Sequence, residues 1–155
     1  MVRVSAGARV RLIPPVVYFG PFSVMWGLQW WRPWTIPGGL TLTVTGLVLV
    51  LAGIALTTWA VVTFRSAHTT VIPWEQVSAM VSTGPFRLSR NPIYLADAIA
   101  YLGATLLIHS WWPLVVLPGI LVVIRRKVID REEHYLTERF GDAYRDYQRR
   151  VRRWL

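Results

Sequence analysis

An all-α integral-membrane fold is what these 155 residues predict, and three observations carry that expectation. The chain is 54% hydrophobic and only 16% charged, whereas soluble domains carry roughly a quarter charged residues. Several stretches hold no charge over a length that can cross a ~30 Å hydrocarbon core. The 17 Lys and Arg sit between those stretches rather than across one surface. Eight acids and seventeen bases could not cover the apolar surface of a water-soluble domain this small. The length suits a single domain, residues 1–155, built as a bundle of about four transmembrane helices with a cytoplasmic helical tail at 130–155.

The first span is predicted at 12–31, an uncharged run from Leu12 to Trp31. Pro14, Pro15 and Pro21 fall inside it and predict a kink, with neighbouring groups satisfying the freed carbonyls. Arg3, Arg9 and Arg11 precede it as they would a secretion signal. No small-residue cleavage site follows, so the segment reads as an uncleaved anchor. The second span, 40–64, runs from Leu40 to Phe64 without a charge and ends at Arg65. Its Gly46, Ala52, Gly53 and Ala55 supply the small side chains that let membrane helices approach closely. Residues 66–90 are polar and turn-rich, with Pro73, Gly84 and Pro85.

From Asn91 to Ile124 the chain is again uncharged except for Asp97. That length exceeds one helix and predicts a hairpin. Its spans fall at 92–109 and 113–129, broken at His109-Ser110-Trp111-Trp112-Pro113. In the tail, Leu136, Phe140, Tyr144, Tyr147, Val151 and Trp154 recur at helical spacing, and Gly141-Asp142 marks a stop and restart.

With four spans, the N-terminus, the 65–90 loop and the tail share one side. They hold 16 of the 17 Lys and Arg, against Arg32 alone on the other. The positive-inside rule then makes this a multi-pass protein of the cytoplasmic membrane with both termini in the cytoplasm. Trp26, Trp30, Trp31, Trp34, Trp111 and Trp112 gather at the opposite interface, where indole rings prefer to sit. The net charge of +9 is accordingly an orientation signal with membrane lipids as partners, not a sign of nucleic acid.

The absence of cysteine removes disulfides, thiolate metal sites and thiol nucleophiles. Neither a Gly-rich dinucleotide loop, nor a P-loop, nor a nucleophile elbow occurs. His68, His109 and His134 are too dispersed for a metal site, and no metal is expected.

Three polar features remain. In the run from Thr83 to Tyr94, Asn91 is expected to cap the third helix and Pro92 to take its first position. The segment is either a plain membrane-edge turn or a helix start that offers free N–H groups to a carboxylate or phosphate. Asp97 shares a helix face with Tyr94 and Tyr101, in a structural hydrogen-bonding role or in a site. Arg131-Glu132-Glu133 is either a solvated juxtamembrane face, with Arg126 paired to Asp130, or part of a site.

Taken in order, Thr83-Gly84-Pro85-Phe86-Arg87, Arg90-Asn91-Pro92-Ile93-Tyr94, the hydrophobic hairpin, and Glu132-Glu133 followed by Leu136, Phe140-Gly141, Tyr144, Tyr147, Val151 and Arg153 form a pattern. It resembles the isoprenylcysteine carboxyl methyltransferase family, which is grouped with the phospholipid methyltransferases. The likeness covers residues 68–155. It implies an integral-membrane methyltransferase that uses S-adenosylmethionine without a Rossmann domain, its cofactor held in a cytosol-facing pocket. Cofactor contacts are implied at Ser78, Ala79, Met80, Val81, Phe86, Asn91, Pro92, Ile93, Tyr94 and Glu132. Arg90 and Glu133 complete the motifs and are the implied catalytic residues.

Asn91 stands where eukaryotic members have His, and Phe86 where they often have Tyr, so no imidazole titrates at position 91. The implied acceptor is a lipid-like or small amphiphilic molecule, such as a prenylcysteine-type carboxylate. The alternative is a non-catalytic scaffold or lipid-binding subunit that keeps the fold. Phe140, Tyr144, Tyr147 and Val151 are expected to fold the tail over the pocket. Otherwise Arg145, Arg149, Arg150, Arg152 and Arg153 lay the tail flat on anionic lipid.

Overall fold

The computed structural model describes residues 12–69 and 77–155. Arg3, Arg9, Arg11 and Pro73 lie outside the described residues. Six α-helices follow one another there: α1 (Pro14–Trp31), α2 (Leu40–Ser66), α3 (Pro92–Leu107), α4 (Trp112–Ile124), α5 (Asp130–Phe140) and α6 (Asp142–Arg150). The class is all-α, as the sequence predicts. Pro14, Pro92 and Pro113 each lie in a helix's first two positions, where a missing N–H costs nothing. Gly141 takes φ 55°, and this left-handed residue separates α5 from α6 at the expected place.

Two boundaries differ from expectation. The third helix ends at Leu107, followed by His109 at φ 52°. The fourth is α-helical only to Ile124 and continues as a π-helical turn, Arg125–Ile129, before α5 begins. A π turn carries an extra residue and so rotates everything beyond it about the helix axis. The turn falls where the apolar run gives way to Arg125-Arg126-Lys127, and sequence periodicity does not tell a π turn from an α turn there.

Helix α2 lies along α3 with its backbone in contact. A Cβ added at Gly53 would stand 2.7 Å from the Ala96 carbonyl oxygen, and one at Gly46 would stand 2.8 Å from that of Gly103. Glycine is required at both points because no side chain fits between the two chains. α1 packs on α4 and α3, where the Tyr18 hydroxyl donates to the Tyr94 carbonyl at 3.1 Å. Tyr18, Tyr94, Tyr101, Ile120, Ile124 and Val128 form the main core. A second core joins Ala60 and Phe86 to Tyr144 and Tyr147 of the tail.

One end of the bundle is tied shut by polar contacts among the tryptophans. The Trp112 indole donates to the Arg32 carbonyl at 2.7 Å, and the Ser110 hydroxyl to Gln29 Oε1 at 2.9 Å. Trp34 meets Trp112 edge-on at 5.1 Å. Along the outside, Val16, Phe19 and Val24 of α1 and Leu47, Leu51 and Ile54 of α2 remain exposed. So continuous an apolar face suits lipid rather than water. Among the described residues α2 is the one helix long and apolar enough to cross a membrane by length and composition.

Candidate functional site

At the other end, where α3 begins and α5 leaves the π turn, the helices enclose a cavity of about 840 Å³ including its open mouth. Both cores wall it, through Tyr94 and Tyr135 of the first and Phe86 and Tyr147 of the second. Ala79, Met80, Val81, Phe86, Arg90, Asn91, Pro92, Ile93, Tyr94, Glu132 and Glu133 all line it. Ser78 does not. It faces the preceding loop, with its hydroxyl donating to the His68 carbonyl at 2.9 Å.

Glu132 and Glu133 point to different partners, although they are neighbours on α5. The Tyr94 hydroxyl donates to Glu132 Oε1 at 2.7 Å, and no described cation pairs with that carboxylate. Burial pushes the Glu132 pKa from its ordinary 4.5 up to about 7; the Tyr94 hydrogen bond opposes this and the charge of Glu133 adds to it. Glu133, only 7% exposed, is held on both oxygens by Arg153, with Nε–Oε1 at 3.2 Å and Nη2–Oε2 at 2.6 Å. Arg90 Nη1 approaches it to 3.5 Å. Asp130 pairs with Arg153 Nη1 at 2.9 Å. The expected Arg126–Asp130 pair is therefore corrected, since the π turn changes the register that i,i+4 spacing assumes.

Asn91 also departs from expectation. It stands at the N-cap position of α3, but its side chain makes no capping hydrogen bond. Its Nδ2 instead donates to the Arg153 carbonyl at 3.1 Å, which the Ser89 hydroxyl shares at 3.1 Å. The Arg90 N–H donates to the Arg152 carbonyl at 3.0 Å. Residues 151–154 thus run as a strap across the Ser89–Asn91 segment. The start of α3 is left without a side-chain cap, and Ile93 and Tyr94, which carry its first N–H groups, are among the residues that line the cavity.

The tail folds inward. Tyr144 and Tyr147 are buried, and the Tyr147 hydroxyl donates to the Phe86 carbonyl at 2.7 Å. Burial raises both phenols, so they stay neutral across the physiological range. Arg145 and Arg149 pair with Asp142 and Asp146, which leaves less free charge for lipid than the sequence suggests. Asp97 is half-buried on α3 and lines no part of the cavity.

Phe64, Val77, Tyr135, Leu136 and Tyr147 complete the wall. Tyr135 was not legible as a site residue. It lies at i+3 from Glu132 on the same α5 face, which the periodicity of the tail could have signalled. Its hydroxyl and the Nε of Arg90 are buried without a hydrogen-bond partner among the described residues. No group of three or more metal-ligating side chains occurs among the described residues.

Residues 41–143 match the sequence model of the phospholipid methyltransferase family. A probable protein-S-isoprenylcysteine O-methyltransferase of Oryza sativa subsp. indica is 33% identical over 110 residues, 68% of this chain and 56% of that protein. A protein of the same name from subsp. japonica matches equally. An uncharacterized protein of Haemophilus influenzae is 38% identical over 63 residues, 41% of this chain and 79% of the relative. The chain spans about half the length of the rice relatives. No solved structure matches.

Proposed function

From the premise that the chain belongs to the phospholipid methyltransferase family, we propose that it transfers a methyl group from S-adenosylmethionine to an amphiphilic acceptor at the cytoplasmic membrane face. The observation that carries this reading is Glu132, a carboxylate turned into an aromatic-walled cavity with no described cation beside it. A part-buried carboxylate with a single phenol donor and no described cation is costly to keep ionised. A cationic ligand relieves that cost.

The wall fits the donor's three charged groups. Glu132 offers its negative charge to the ammonium or sulfonium, and the faces of Phe86 and Tyr94 suit the adenine or the sulfonium. The uncapped N–H groups of Ile93 and Tyr94 and the positive end of the α3 dipole suit the carboxylate. Arg90, whose Nε has no hydrogen-bond partner among the described residues, adds a donor on the same wall. S-adenosylmethionine, when bound, supplies a methyl already activated for in-line displacement. The task left to this chain is to orient the acceptor and keep water out, and no covalent intermediate is needed. Tyr147, Phe86 and Leu136 exclude water, and Glu133, fixed by Arg153, holds Arg90 in place.

In this reading α1 to α4 form a multi-pass bundle with both termini in the cytoplasm, and the exposed apolar face of α1 and α2 meets lipid. The test is incubation of the purified protein with the methyl donor and a bacterial membrane extract. Mass spectrometry should find a lipid-like product heavier by one CH2. A scaffold subunit would give no such product and would not bind the donor.

A further inference from the structure

A second, shallower hollow lies on the outside of the same end, lined by Ser82, Thr83, Arg87, Tyr147, Arg150 and Val151. It is formed by the 3-10 turn Gly84–Arg87 with the residues before it, and by the last turn of α6. Most cations nearby are already neutralised. Arg145 pairs with Asp142, Arg149 with Asp146, Arg153 with Asp130 and Glu133, and Arg90 with Glu133. Arg87 and Arg150 differ. Neither meets an acid among the described residues, and Arg150 donates only its Nε to the Asp146 carbonyl at 3.3 Å. Two guanidinium groups therefore share one hollow with two hydroxyls and no carboxylate among its described lining residues. Like charges brought together repel unless an anion sits between them. Guanidinium forks and hydroxyls match the oxygens of a phosphate in particular.

The surroundings specify where that phosphate comes from. The 3-10 turn packs on the end of α2, with Gly84 pressed against Thr63 and Trp59. Trp59 and Val62 belong to the exposed apolar face of α2, and Leu88, next to Arg87, is 59% exposed. The hollow thus adjoins the end of the exposed apolar face of α2, and lipid packed on that face would bring its phosphates to the hollow. Tyr147 separates it from the cavity, with its hydroxyl bound to the Phe86 carbonyl. We propose that Arg87 and Arg150, with Ser82 and Thr83, bind the headgroup phosphate of an anionic phospholipid. This site does not depend on the methyltransferase reading.

The experiment uses the full chain in an uncharged detergent and reads bound lipid by native mass spectrometry. The probe is dihexanoyl phosphatidylglycerol; dihexanoylglycerol and glycerol phosphate are the comparisons. Wild-type protein should bind the phosphatidylglycerol, and the R87Q/R150Q double variant should bind it about tenfold more weakly or worse, because two charge-assisted contacts are lost. R87K/R150K should recover part of the affinity. Glycerol phosphate should bind about tenfold more weakly than the lipid, which has apolar chains to bury beside Leu88. Unchanged binding by R87Q/R150Q overturns the site. Equal binding of dihexanoylglycerol overturns the phosphate, and equal binding of glycerol phosphate overturns the lipid. A salt titration of the wild type needs no variant: affinity should fall as ionic strength rises, and a flat profile also overturns the proposal.

Discussion

Arg153 and Glu133 face each other across the tail, joined by two hydrogen bonds of 3.2 and 2.6 Å that span 20 residues of sequence. The same arginine offers its carbonyl to Ser89 and Asn91, so one residue ties the chain's end to α5 and to the segment before α3. Arg153→Ala should cost about 2–3 kcal/mol, because a buried carboxylate loses its principal partner. Thermal unfolding in detergent checks this, and Arg153→Lys should recover only part of the loss because it cannot grip both oxygens. Asn91→Ala should cost about 1 kcal/mol through the lost bond to the Arg153 carbonyl, with no loss of helix capping.

Glu132 makes the empty protein pH-sensitive. Its carboxyl keeps a proton up to about 7 when folded but only to about 4.5 when unfolded. Between those values the folded state binds more protons, so this contribution is full below about 4.5 and is lost as pH rises through about 7. Glu132→Gln should therefore raise the melting temperature of the empty protein at pH about 8, since the neutral amide avoids the buried charge. Donor binding should move the other way. It needs the carboxylate, so affinity should climb as pH rises through about 7, and Glu132→Gln should flatten that climb while weakening binding.

The contact between α2 and α3 is expected to tolerate no side chain at Gly53. Gly53→Val places new atoms where a Cβ alone would stand 2.7 Å from the Ala96 carbonyl oxygen. Overpacking of this kind costs about 1–3 kcal/mol or more. It should also shift the start of α3, and with it Asn91 to Tyr94. A melting curve and a donor titration on the same variant check both effects.

Truncation after Arg139 removes Tyr144, Tyr147 and Arg153 together. If the tail closes the cavity, the shortened protein should still insert in membranes but lose donor binding. A tail that served only as a lipid anchor would leave the affinity intact while loosening membrane association.

The helices were legible because their signals are local: uncharged length in α2, prolines at the starts of α1, α3 and α4, and Gly141 between α5 and α6. The cavity wall was legible because the motif residues cluster in two short segments. What stayed hidden depends on pairing across distance. Asn91 has the composition of a helix cap, and only the strap of residues 151–154 diverts its side chain. Arg153 ends the motif pattern, but nothing in its spacing says that Glu133 is its partner. The π turn at Arg125–Ile129 falls on the basic stretch Arg125-Arg126-Lys127, which reads as the edge of a span and not as a change of hydrogen bonding, yet the turn rotates α5 and the two glutamates with it. Tyr135 reads as an ordinary tail aromatic, and its place in the wall follows from how α5 is rotated.

Isothermal titration of the detergent-solubilised protein with S-adenosylmethionine, run beside Glu132→Ala, tests the central claim most directly. The wild type should bind with 1:1 stoichiometry, and Glu132→Ala should lose about tenfold or more of that affinity, since a buried charge-assisted contact is worth about 1.5–3 kcal/mol. No binding by a folded wild type, or equal binding by the two proteins, would contradict the assignment of this cavity and of Glu132 to the methyl donor.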